Sequence, residues 1–172
     1  MIRLHKYIIH FILLALIQVL IVNNIQISSY INPFIYILFI LILPFDLNRT
    51  ALLIIGFFAG LTIDIFSDTY GIHAAATTLL AFLRPSILNI ISTREAHEPG
   101  SSPSINTNGM PWFLKYLIIG TLIHHTSLFM LEVFSFNNIF HTIGKISTNL
   151  ISSVFLMIFY YIIALKSPKT NR

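Results

Sequence analysis

Cysteine is absent from the 172 residues. Disulfides, thiol nucleophiles and thiolate metal sites are therefore excluded. Charge is almost as scarce: Asp, Glu, Lys and Arg together make up 9% of the chain, where a soluble domain carries about a quarter. With 56% hydrophobic residues and a mean hydropathy of +0.83, the apolar runs leave no soluble module large enough to fold alone. The common catalytic signatures are missing too, with no HExxH, GxSxG, GxGxxG or P-loop pattern. These absences leave one class, an all-α polytopic membrane protein whose residues 1–172 form a single integral membrane domain. The net charge of +4 does not indicate nucleic acid, because the basic residues lie at the ends of apolar runs, where membrane orientation accounts for them.

What is present divides into six apolar stretches. A basic lead, Arg3 to Lys6, precedes Tyr7–Val22, which is long for a signal peptide and has no small-x-small cleavage site after it. Asn23 to Asn32 is a polar, uncharged loop. Pro33 suits the first turn of a second helix ending at Leu43. That stretch is short for a span, and a partial span buried among the others is one reading of it. A charged turn, Pro44 to Arg49, leads to a third helix over Thr50–Phe66. A fourth covers Ile72–Ile91, where Arg84-Pro85 is expected to interrupt or kink it. Residues 92–111, rich in Ser, Pro, Gly and Asn, read as a flexible cytoplasmic loop. Trp112 marks an interface. Helices over Phe113–Phe134 and His141–Leu165 follow, and 166–172 is a basic tail.

Six spans put both termini on one side. The inner segments then hold Arg3, Lys6, Arg49, Arg94, Lys115, Lys166, Lys169 and Arg172, and the outer segments only Lys145. This positive-inside pattern predicts cytoplasmic termini.

The candidate functional stretch is Gly56–His73. Gly56, Gly60 and Asp64 recur every four residues and share one helix face. Two glycines at that spacing let another backbone approach closely. A carboxylate on the same stripe is costly toward lipid, so Asp64 should face protein or water. Ser67 to Gly71 is turn-like, and the next helix opens on small residues, Ala74 to Thr78. The pattern predicts a tight helical hairpin with Asp64 near its tip and Asp68 and His73 at the same level. Asp64 either pairs with a partner helix or a cation, or caps the loop. Arg84 lies about 18 Å deeper at about 1.5 Å per residue, so it either snorkels to inner headgroups or pairs within the bundle. His124 and His125 point about 100° apart on one helix and do not chelate one ion from one face; hydrogen-bonded burial is the plainer reading. Glu132 and Lys145 are placed to pair across the last loop. No cofactor, no bound metal and no catalysis is expected.

Gly60-Leu61-x-x-Asp64 after a small-residue helix face, then Gly71-Ile72-His73 opening the next helix, resembles the rod shape-determining MreD family. Length, span number and basic tail agree with it. The family-like positions are Gly56, Gly60, Leu61, Asp64, Gly71 and His73. The resemblance implies a non-catalytic membrane scaffold of the bacterial cell-wall elongation machinery. Its partners would be an MreC-like bitopic protein, the actin-like MreB, and the RodA glycosyltransferase with its transpeptidase. It also implies a fold similar to the substrate-binding S components of energy-coupling-factor transporters. A vitamin-binding S component is the alternative function; such a protein needs an outward polar pocket, which the Asn23–Asn32 loop is placed to line. Against it, the first helix offers only Ala15 where those proteins present a small-x-x-x-small face.

Overall fold

The computed structural model describes residues 4–24, 31–91, 100–134 and 139–165. All regular structure among them is helical. The elements are α1 (Leu4–Leu16), continued by a π-helical turn Ile17–Ile21 and a 3-10 turn Val22–Asn24, then α2 (Leu38–Ile42), α3 (Arg49–Ser67), α4 (Ile72–Ile91), α5 (Ile105–Asn108), α6 (Met110–Val133) and α7 (Ile139–Tyr160), with a closing π turn Tyr161–Leu165. Five helices among the described residues are long and apolar enough to cross a membrane: His5–Asn24, α3, α4, α6 and Ile139–Leu165. The chain is therefore a multi-pass membrane protein. Its outward faces carry Phe58, Ile65, Phe82, Ile90, Ile151 and Phe155, all exposed and suited to lipid.

The second stretch departs from the expected sixth helix. Pro33 does not open a helix; residues 31–35 are irregular and only Leu38–Ile42 is α-helical. Every residue from Phe34 to Leu43 is nevertheless buried, so this segment threads the middle of the bundle. Irregular backbone survives at membrane depth only where protein satisfies its polar groups, and here three side chains from flanking helices do so. Gln18 Oε1 accepts from the Ile35 amide at 2.7 Å, while Gln18 Nε2 donates to the Pro33 carbonyl at 3.0 Å. Asn149 Oδ1 accepts from the Asn32 amide at 2.6 Å, and Ser153 Oγ from that of Phe34 at 2.8 Å. The segment starts beside α7's first half and the hairpin tip, and ends beside Arg84. We call these the tip end and the turn end of the bundle.

α4 packs between α3 and α6, and α6 packs on α7. α3 starts on Asn48, whose side chain accepts from the Thr50 amide at 2.9 Å. α4 runs unbroken from Ile72 to Ile91 with Pro85 inside it, so the expected interruption at Arg84-Pro85 does not occur. The boundaries of α3, α4 and α6 otherwise fall within a few residues of expectation. At the turn end, the described part of the 92–111 stretch is tied to the bundle. Gly100 N donates to Asp46 Oδ2 at 3.0 Å, Phe45 N to Ser101 O at 3.0 Å, and Ile105 N to the Tyr161 hydroxyl at 3.1 Å. Tyr7 Oη and Ser102 Oγ lie 2.5 Å apart. Both the first and the last spanning helix thus touch this stretch. Residues 92–99, the tail 166–172 and most of the Asn23–Asn32 and last loops lie outside the described residues.

Candidate functional site

The hairpin α3–α4 is built from the residues singled out by spacing. A Cβ on Gly60 would lie 2.4 Å from the His73 carbonyl oxygen and 2.5 Å from Ala74 Cα. On Gly56 it would lie 2.8 Å from Ala81 Cβ and 3.1 Å from the Thr77 carbonyl oxygen. The two glycines thus let α3 lie directly on the backbone of α4. The close backbone contact that the glycine spacing forecast is made to α4.

Asp64 joins the two helices at the tip. It is 3% exposed. Its Oδ1 accepts from the Thr69 hydroxyl at 2.5 Å and from the His73 amide at 3.0 Å, and its Oδ2 accepts from the Ala74 amide at 2.8 Å. Its backbone carbonyl also receives the amides of Asp68 and Thr69 that end α3. One residue therefore satisfies free amides at the start of α4 and closes α3, and its charge sits at the positive end of the α4 dipole. Asp68, φ 51°, and Gly71, φ +82°, are in the left-handed region. Nothing lies within 4 Å of a Cβ on Gly71, so conformation alone selects glycine there.

His73 leaves this hairpin for the core. Its Nδ1 is 3.2 Å from the Tyr36 hydroxyl, which also meets Thr77 Oγ1 at 2.8 Å and His124 Nε2 at 2.8 Å. His124 and His125 Nδ1 atoms are 3.4 Å apart, and His125 Nε2 is 3.0 Å from Ser153 Oγ. The tyrosine oxygen has one proton and three neighbours, so at least two of them must donate to it. Phe34 packs edge-on against His73, His124 and His125. No group of three or more His, Asp or Glu side chains arranged to hold a metal occurs among the described residues.

Above this cluster, the tip end opens into a cavity of about 410 Å³. Its wall includes Asn23, Asn24 and Asn32, with Ser67, Asp68, Thr69, His73 and Glu132, and the rings of Phe34, Phe66 and Phe129. Glu132 is paired with Lys145 at 2.8 Å, as spacing suggested.

No protein-family model, curated protein or solved structure matches the chain. Its chemistry rests on its own geometry.

Arg84 belongs to the opposite end. It is 1% exposed, which overturns the reading that it snorkels to headgroups. Its Nη1 donates to Pro44 O at 3.2 Å, its Nη2 to Leu43 O, and its Nε to the Tyr116 hydroxyl at 2.9 Å; Tyr116 in turn donates to Leu41 O at 3.0 Å. The guanidinium thus fastens the carbonyls that follow α2, where a cation complements the helix dipole. Leu61 is the family-like position not used inside the hairpin. It lines an apolar groove of about 570 Å³ on the lipid face of α3 and α4, with Leu53, Phe57, Ala75, Leu79 and Phe82. Sequence reasoning missed Gln18, Tyr36, Asn149 and Ser153. Polar residues inside apolar spans are the signal that would have found the first, third and fourth.

Proposed function

We propose that this chain is an MreD-like scaffold of the bacterial cell-wall elongation machinery, maintaining rod shape without catalysing a reaction. In this reading it crosses the inner membrane six times, the buried 31–43 segment counting as one pass, with both termini and the turn end in the cytoplasm. The observation that supports it best is that the family-like positions form one unit. Gly56, Gly60, Asp64 and Gly71 build the hairpin, and His73 links it to the core. Leu61 and Gly71 of the set line the lipid-side groove. A rigid hairpin with a shallow apolar groove suits docking of a single transmembrane helix, where small residues bring backbones together. We assign that groove to an MreC-like bitopic partner, with MreB, RodA and its transpeptidase joined through the same complex.

The test is a photo-crosslinking residue at Leu61, compared with one at Ile151 on the lipid face of α7. Crosslinking from Leu61, and not Ile151, to an MreC-like protein in native membranes is the expected result. Equal labelling from both positions, or no MreC-like protein among the products, overturns the proposal.

A further inference from the structure

We propose that the buried histidines at the tip-end half of the bundle form a pH-operated latch on the threaded segment, closed while the imidazoles are neutral and opened by acid. The two halves of the segment are fastened by different chemistry. At the turn end, the carbonyls of Leu43 and Pro44 are held by Arg84, which stays charged at every working pH. Residues 34–36 are held instead by groups that meet imidazoles. The Tyr36 hydroxyl joins His73 of α4 at 3.2 Å and His124 of α6 at 2.8 Å. Ser153 of α7 accepts the Phe34 amide and meets His125 Nε2 at 3.0 Å. The Phe34 ring packs against all three imidazoles. His73 and His124 have ring centroids 6.5 Å apart, and His124 and His125 5.5 Å.

The titratable and charged groups around the cluster are Tyr36 on the segment itself, Asp64 from α3, Glu132 from α6 and Lys145 from α7, the last two paired with each other. Asp64 binds the His73 amide and not its ring. Asp68 shares the cavity wall with His73. Among the described residues no carboxylate is hydrogen-bonded or ion-paired to any of the three rings. A proton added here therefore creates a buried cation without a bonded counter-charge, which is costly. His73 lines the tip-end cavity and gives the cluster its access to protons. The path inward runs from His73 Nδ1 through the Tyr36 oxygen to His124 Nε2, and from His124 Nδ1 to His125 Nδ1 at 3.4 Å. Charging His124 and His125 together sets their two Nδ1–H groups against each other with no acceptor between them. Parting of residues 32–36 from α4, α6 and α7 lets water solvate these charges, so acid favours the open form. Arg84 keeps the turn-end half in place. The latch rests on no reading of the groove at Leu61, and the two proposals fail separately.

The experiment uses the purified full-length protein in detergent micelles, with a nitroxide spin label on Asn32→Cys; the chain has no cysteine of its own. Between about pH 7.5 and about pH 4, the mobile component of the spectrum should rise reversibly by about tenfold, from the minor share that a closed state allows. A label on Leu47→Cys at the turn end should not change. Glutamine offers an amide donor and acceptor but takes up no proton, so His124→Gln with His125→Gln should abolish the rise at Asn32. A second measurement needs no variant of the cluster. In protein labelled with nitrogen-15 histidine, the ring nitrogens of His73, His124 or His125 should titrate with the midpoint of the label's transition. An Asn32 label indifferent to pH overturns the proposal. So does the same rise in the double glutamine variant, which would assign it to carboxylates, or an equal rise at Leu47, which would mark general unfolding. A transition at Asn32 during which none of the three rings titrates overturns it as well.

Discussion

Two buried charged residues divide the work of holding this bundle, and each is satisfied in a way that sets what its substitution does. Arg84 has no carboxylate among its partners; its three donors go to two carbonyls and a phenol. Arg84→Leu leaves those groups buried without donors, and about 1–3 kcal/mol is expected for each one unsatisfied. The variant should therefore be strongly destabilised in a denaturation series in detergent, and Arg84→Lys should recover only part of the loss, because an ammonium lacks the guanidinium fork. Wild-type stability in Arg84→Leu would show that the turn-end bonds carry no energy. Asp64 is different, since both of its oxygens accept from donors. Asp64→Asn turns one acceptor into a donor facing an amide and removes the charge at the α4 N-terminus. A loss of about 1–3 kcal/mol follows from the capping role alone. A silent Asp64→Asn in the same assay would mean that those amides are satisfied by water.

At the level of elements, the hairpin was legible in the sequence and the threaded segment was not. The four-residue spacing of Gly56, Gly60 and Asp64 is a local signal, and the contact it forecast is between neighbours in the chain. The threaded segment is held by Gln18, Asn149 and Ser153, the last two more than a hundred positions away from the amides they receive. No periodicity records such a pairing, and a short apolar run reads equally as helix or as extended core. The tyrosine–histidine cluster was hidden for the same reason, since it draws on α4, α6, α7 and residue 36. The glycine contact has a direct consequence for stability. Gly60→Ala places a methyl group against α4 backbone that has no side chain to move aside. Overpacking of this kind costs about 1–3 kcal/mol, so thermal stability and abundance in the membrane should fall. Leu61→Ala, on the lipid side, should leave both unchanged and weaken only partner capture. Normal stability in Gly60→Ala would remove the close helix contact.

For the whole molecule, the proposed six-pass topology makes a prediction that reporter fusions read out. Tyr7 and Tyr161 both bond to the 100–108 stretch, so the described chain begins and finishes at the turn end of the bundle. Reporter fusions after Asn24, Thr69 and Asn137 are expected to report the periplasm, and fusions after Gly100 and Arg172 the cytoplasm. A periplasmic signal from the Arg172 fusion would count five passes and not six.

The threading of residues 31–43 also sets an order of assembly. The amides of Asn32 and Phe34 wait for side chains 117 and 119 positions downstream. At a synthesis rate of about 5–20 residues per second, that is a delay of roughly 6–24 s between emergence of the segment and emergence of α7. During that interval the amides of Asn32 and Phe34 lack their final partners, and hydrocarbon is closed to the irregular part of the segment. The nascent chain must hold it at the insertion machinery or in water until its last helix arrives. The C-terminal helix is thus the lock of the fold, and a ribosome that stalls before Asn149 leaves the protein open at its centre.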